Sequence, residues 1–477
     1  MASLGKGKIL RNLYSLSIGK LAADLAAFGL FVVISRQFGE EGVGQYSFAM
    51  ALTGFLMVYA DFGLEFLSTR DLSRLPHKEL AAYMGRVVAV RIFQTLVTVG
   101  TLGILCSALP YSRDFIFVIF VVGLFQVLYT GVDGLAAVFI AREEMFTAAM
   151  LTATLRIMAA LTAAALIILG VELGLSLIVF PVFTALQLGI AYRMVNRRIG
   201  SIRPYATFAE IKDMMREALP FAVSEFLRQL GTRTDVVALG LLIGAAAAGV
   251  YNAAFRIIFM LSLFSYLAGV AIFPGISRLF KNHPAQMCVL YSRYLGVAIL
   301  VGIPASVGLA LIADELILII FGDALAASGR ALEVLAVLVL FAAVKFMMQM
   351  FMMAGERQKL MVRSQWISAT VCVVALLLLI PRFEVLGAAA AVITSEFILI
   401  VLYAKHLRSL VGLPRVGHRL FVAVTGALVV AAVVEYLQPL SIAAMIPLAV
   451  LVYCLIVLCS RDIRHNELKF FVESIRR

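Results

Sequence analysis

Apolar runs of membrane-spanning length, divided by short polar clusters, recur from one end of the 477-residue chain to the other. The hydrocarbon core of a bilayer asks for ~20 predominantly apolar residues per helix. The pattern supplies fourteen such segments, at about 12–35, 43–66, 87–109, 115–140, 148–169, 174–192, 218–243, 248–274, 294–313, 330–353, 364–380, 387–404, 419–437 and 441–459. Pro and Gly punctuate joins and spans, as in "ALPYSRD" and "VGIPASVG". An all-α integral membrane protein of about 14 transmembrane helices follows.

Polar positions inside the spans are ordered. A charge at a bilayer centre costs at least ~2.5–3.5 kcal/mol on insertion scales, yet the seventh span reads "FLRQLGTRTDVVALGLLIG". With ~100° per residue and Glu225 as zero, Gln229 lies at ~40°, Arg233 at ~80°, Thr232 at ~−20°, Arg228 at ~−60° and Asp235 at ~−80°. Phe226, Leu227 and Leu230 hold the other side. One wet face and one apolar face suit a helix that lines a polar cavity. Similar stripes run along the first span (Ser17, Lys20, Asp24), the third (Arg91, Gln94, Thr95, Thr98) and the fourth (Gln126, Tyr129, Thr130, Asp133).

Seven bases fall within spans: Lys20, Arg91, Arg156, Arg228, Arg233, Arg256 and Lys345. The deep acids are Asp24, Asp133, Asp235 and Glu396, while Asp61, Glu65, Glu225 and Glu435 stand nearer span ends. Structural pairing competes with ligand binding at each position. Lys20 can reach Asp24 at i, i+4, Asp235 can pair with Arg233 or Arg256, and Arg91 is near enough to a span end to snorkel. As a set, the bases outnumber the deep acids. The seven bases are therefore candidates for holding an anion, and the four acids for exchanging a proton or sodium ion. No prosthetic cofactor is expected.

Composition agrees: 63% of residues are hydrophobic and 14% charged, far from soluble-domain averages. Most of the forty Lys and Arg fall in the tail and in alternate loops, "RMVNRRIGSIR" being the densest, and only Arg36, Arg113, Arg330 and Arg382 on the other side. The positive-inside rule then places both termini in the cytoplasm. The net charge of +12 is a topology signal, more than a nucleic-acid footprint. The five cysteines show neither zinc nor disulfide spacing and read as small hydrophobes. The final segment, "RDIRHNELKFFVESIRR", is either an interfacial amphipathic helix or a solvated tail.

The chain also repeats itself. "GEEGVGQYSFA" (Gly39–Ala49) and "GAAAAGVYNAA" (Gly244–Ala254) share the pattern G-x-x-x-x-G-x-Y-x-x-A, and each opens the second span of a six-span set. A six-plus-six duplication with two appended spans divides the chain at 1–205, 206–410, 411–460 and 461–477.

"VISRQFGEEGVGQYSFAMAL", "DFGLEFLSTRDLS" and "ALPFAVSEFLRQLGTRTDVVALGLLIGAAAAGVYNAAFRI", with "IFPGISRLF" and "ILIIFGD" further on, resemble the bacterial polysaccharide-biosynthesis, or lipid-linked oligosaccharide flippase, family. That family shares a superfamily with multidrug and lipid II exporters. The resemblance implies two six-helix lobes in pseudo-twofold relation around a central cavity, and alternating access. It implies transfer of polyprenyl-pyrophosphate-linked oligosaccharide across the bacterial inner membrane for O-antigen or exopolysaccharide synthesis. Polysaccharide polymerase and glycosyltransferases would be partners. Arg forks and Lys ammoniums suit the pyrophosphate. Gln, Asn, Ser and Tyr suit the sugars, and membrane lipid would hold the tail. A lipid II-type flippase and a cation-coupled multidrug exporter are the nearest alternatives. A membrane-embedded glycosyltransferase or polymerase is disfavoured, because the longest outer loop, near Asp314–Gly329, is short and largely apolar. No Walker lysine motif marks an ATPase, and no nucleic-acid partner is implied.

Overall fold

The computed structural model describes residues 6–282, 287–436 and 442–460, and these are helical apart from short joins. In chain order the helices are α1 (Lys6–Asp61), α2 (Leu64–Leu72), α3 (His77–Ala108), α4 (Arg113–Ala141), α5 (Met145–Ile168), α6 (Leu173–Leu177), α7 (Val179–Ile199) and α8 (Phe208–Leu242). There follow α9 (Ala245–Asn282), α10 (Met287–Leu311), α11 (Ala313–Phe321), α12 (Ser328–Leu335), α13 (Val337–Ala354), α14 (Gln358–Val411), α15 (Gly417–Tyr436) and α16 (Ile442–Cys459). Among the described residues, ten segments are long and apolar enough to cross a bilayer. Two of these, Gly19–Leu72 through α1 and α2 and Gln358–Val411 in α14, run 54 residues, about twice what a bilayer needs. α1 breaks at Gly39 and α14 at Glu384. Each therefore supplies two spans. With the more polar α8 and the short apolar helix in α16, the expected fourteen are present.

Helix boundaries have local causes. α8 starts with a capping box: the Thr207 side chain accepts from Glu210 N–H at 3.3 Å, and Glu210 Oε2 accepts from Thr207 N–H at 2.8 Å. These bonds hold the Glu210 carboxyl below the usual carboxylate range, because they favour its charged form. The segment expected to be an outer loop is instead helical. α11 buries Ile317 and Phe321, α12 buries Leu332 and Leu335, and the two pack together. Asp314 and Glu315 in the first turn of α11 suit the positive end of its dipole. A short apolar join of this kind gains more by folding a buried face than by staying open.

Two compact units divide between Gly249 and Val250. In the first, α1 packs on α4, α5 and α8, while α4 packs on α7. Leu72, Met84, Val87, Leu135, Phe139, Leu151, Val195 and Ile199 form one core there. In the second, α10, α13 and α14 enclose Met347, Met350, Phe351, Tyr291, Tyr403 and Leu407. α15 and α16 dock on α10, where the Tyr453 hydroxyl donates to the Leu300 carbonyl.

The repeated motif has matching geometry. Its first glycines, Gly39 and Gly244, both have positive φ, 63° and 136°, which L side chains rarely adopt. Its tyrosines, Tyr46 and Tyr251, are both buried, as are Ala49 and Ala254. Its second glycines meet reciprocally. A Cβ on Gly44 would overlap the Ala245 carbonyl, and one on Gly249 would fall 2.5 Å from the Glu40 carbonyl and 2.9 Å from Gly44 Cα. Glu40 and Ala245 are equivalent motif positions, so the contact has the form of a twofold, self-complementary one.

Cys106 and Cys372 are buried free thiols as expected, whereas free Cys454 is exposed along α16. The amphipathic tail expected at 461–477 lies outside the described residues.

Candidate functional site

The first unit builds its charged centre from a broken helix. α1 stops at Asp61, and α2 restarts at Leu64 after Phe62 and Gly63. Asp61 Oδ2 accepts from Gly63 N–H at 3.0 Å, so the break itself orients the carboxylate. Its other oxygen lies 2.7 Å from Arg91 Nη2 on α3. Arg91 Nη1 donates to the Thr130 carbonyl of α4 at 2.6 Å, and a Cβ on Gly134 would overlap the guanidinium. Arg91 and Asp61 side chains are 7% and 14% exposed. Arg91 therefore does not snorkel. It is locked against α4 by a carboxylate from 30 positions earlier.

Further charges gather around this pair. Glu65 feels Asp61, Arg91, Glu225 and Lys20, and Asp133 feels Glu65, Asp61, Arg91 and Arg156. Arg156 stands over the Tyr129 ring, 5.6 Å from its centroid, with Asp24 and Asp133 also in reach. Lys20 and Asp24 do not form the i, i+4 ion pair that their spacing allowed. Asp24 instead acts electrostatically on Arg156, and Lys20 on Glu65.

α8 divides its polar face. Arg228 forks onto both oxygens of Glu225, yet its side chain stays 59% exposed. Gln229 and Asp235 are buried. The Gln229 amide and that of Gln126 both border Gly54 of α1. Gln126 Nε2 donates to Thr53 Oγ1 at 2.6 Å and to the Met50 carbonyl at 3.1 Å. Asp235 Oδ1 accepts from Val236 N–H at 2.8 Å, and Asp235 and the half-buried Arg233 have further partners.

In the second unit Lys345 of α13 meets Glu396 of α14 at 2.6 Å. Arg256 is half-buried in α9 and partnered. Among the described residues, at least three of the seven bases are paired with carboxylates: Arg91, Arg228 and Lys345. The surplus of bases counted along the sequence shrinks accordingly. Two of those carboxylates, Asp61 and Glu225, had been set near span ends. The signal that places Asp61 deeper is the "DFG" break, which lies short of the end of the long helical segment Gly19–Leu72.

The chain matches the family model described as polysaccharide biosynthesis protein over residues 9–280, and that described as lipid II flippase MurJ over residues 199–457. It is 28% identical over 180 residues to the probable low-salt glycan biosynthesis flippase Agl15 of Haloferax volcanii, a match spanning 38% of this chain and 38% of that relative's length. Among solved structures, lipid II flippase MurJ in an inward closed conformation superposes with a TM-score of 0.74 at 13% identity, over 94% of this chain and 98% of that one. An inward-facing multidrug resistance MATE family transporter of the MOP superfamily gives 0.55 at 12% identity, over 84% and 98%. Fold and embedded charge together define a multi-pass helical membrane protein with the architecture of that transporter superfamily. Within it, the chain belongs to the polysaccharide biosynthesis family.

Proposed function

We propose that the protein is an alternating-access flippase that moves a polyprenyl-pyrophosphate-linked oligosaccharide from the cytoplasmic to the outer leaflet for surface glycan assembly. The observation that carries this reading is the polysaccharide-biosynthesis match over 9–280, which contains most of the embedded charge. The lobes of this machine are the repeats 1–205 and 206–410, with 411–460 appended, in a cytoplasmic membrane with both termini inside. Of the seven bases, Lys20 and Arg228 are exposed, and Arg156 and Arg233 are half-buried. These four are the first unit's candidates for meeting a pyrophosphate. Arg91 and Lys345 hold the scaffold.

The test is rescue of a strain lacking its oligosaccharide flippase, scored by surface glycan. Arg228→Ala should lower transport about tenfold or more, the loss expected for one charge-assisted hydrogen bond of ~1.5–3 kcal/mol, without lowering protein abundance. An ion pair this exposed adds little stability. Arg228→Lys should recover part of the loss, since it restores charge but not the two-point fork. Full transport by a stable Arg228→Ala protein would remove this residue from the site. A second reading, a lipid II-type flippase, draws on the match over 199–457. Rescue of a strain depleted of its lipid II flippase, and not of the first strain, would select it.

A further inference from the structure

Lys345 lies near the middle of α13, and Glu396 well inside the second half of α14. Their side chains are only 20% and 25% exposed, with Lys345 Nζ 2.6 Å from Glu396 Oε1 and 5.5 Å from the Phe346 ring centroid. Unlike the Arg228–Glu225 pair, both partners are largely withdrawn from solvent. The oxygens here outnumber the cations. Glu396 Oε2 is buried and makes no hydrogen bond. The Tyr403 hydroxyl, two turns further along α14, is also buried without a well-formed bond, although Gln365 lies beside it. One carboxylate oxygen holds the ammonium while the other stays buried without a partner, an arrangement that calls for a cation and leaves no place for phosphate.

We propose that Lys345 is a tethered counter-cation. Its ammonium fills, on a side chain, the place where a free monovalent cation, a proton or an alkali ion, would otherwise neutralise Glu396. Glu396 is then not an exchangeable ion site in this protein, and Lys345 is not a substrate ligand. The physical reason is the cost of a bare carboxylate at this depth. Some cation must stand beside it, and a covalently attached one never dissociates. Among the described residues, the titratable groups that interact with Glu396 are Lys345 from α13, in contact with it, and Tyr403 from α14, through its charge. The inference concerns the second unit alone and is read by stability, so it stands or falls separately from the transport assignment.

The experiment compares melting temperatures of the purified full-length protein in N-methyl-D-glucamine, lithium, sodium and potassium chlorides at equal ionic strength, at pH 8.5 and pH 6. Wild type should respond to none of these cations specifically. Lys345→Met, nearly isosteric and uncharged, should melt several degrees lower in N-methyl-D-glucamine at pH 8.5. It should regain that loss on addition of an alkali chloride if the vacated place takes a metal ion. It should regain it at pH 6 alone if the place takes a proton, since a buried acid left without a counter-ion binds protons more tightly when folded than when unfolded. Lys345→Met with Glu396→Gln should be insensitive to both. If Lys345→Met does not accumulate in the membrane, the double variant should, and its failure to accumulate would overturn the proposal. So would a Lys345→Met protein as stable as wild type and indifferent to cation and pH. A wild-type response to sodium that Glu396→Gln abolishes would do the same.

Discussion

Asp61→Ala is expected to destabilise the protein by about 3–5 kcal/mol, the typical result of removing one partner from a buried ion pair. The Arg91 guanidinium is fixed on α4 by the Thr130 carbonyl and cannot follow the loss outward. It would remain charged in a site only 7% exposed, without its carboxylate. Asp61 also accepts from Gly63 N–H, so the α1–α2 break would loosen as well. The double variant Asp61→Ala, Arg91→Met should recover most of the stability, because it removes both partners of the pair together. Protein abundance and melting temperature across the two single variants and the double decide the matter. Equal stability of Asp61→Ala and wild type would mean that the pair is not a scaffold element.

Gly44→Val should be the most damaging single change in the first unit. The side chain would run into the backbone of Ala245 and Ala246, where there is no flexible tip to move aside. Small residues at such a crossing let two helix backbones approach closely, and a bulky one costs well above the ~1–3 kcal/mol of ordinary overpacking. Gly249→Val should be comparably severe, since its Cβ would meet Glu40 and Gly44 from the other side. Substitution at Gly103, around which nothing lies within 4 Å, is the matched control. Membrane abundance of the three variants gives the answer, and near-wild-type levels of Gly44→Val would show that the crossing opens in the resting protein.

Helices were legible in the sequence because the bilayer imposes one rule, apolar length, which each segment obeys independently. The shared glycine motif was legible for a similar reason: backbone conformation and close approach both restrict the residue type at one position. Ion pairs were not. Asp61 and Arg91 come from different helices, and their meeting depends on where α1 breaks and how α3 packs on α4. Distance from a span end underrates Asp61 for that reason, whereas Glu225 pairs within α8, with Arg228 three residues on. Short polar spacing misled at Lys20 and Asp24, which share a helical face yet act electrostatically on different neighbours. The segment near Asp314–Gly329 reads as a short, largely apolar outer loop, although Ile317 and Phe321 within it already have helical spacing.

The reciprocal contact at Gly44 and Gly249 bears on how such a chain could have diversified. In an ancestral pair of identical subunits, one substitution at that glycine would have struck both sides of the crossing at once, and its effect would have been doubled. A duplicated and fused chain would be released from that constraint, each copy of the glycine varying alone. Of the two ion pairs, one ties the helix break after the second span to the third span, and the other ties the tenth span to the twelfth. The two motif glycines share one crossing, whereas the two ion pairs join helices that do not correspond in order.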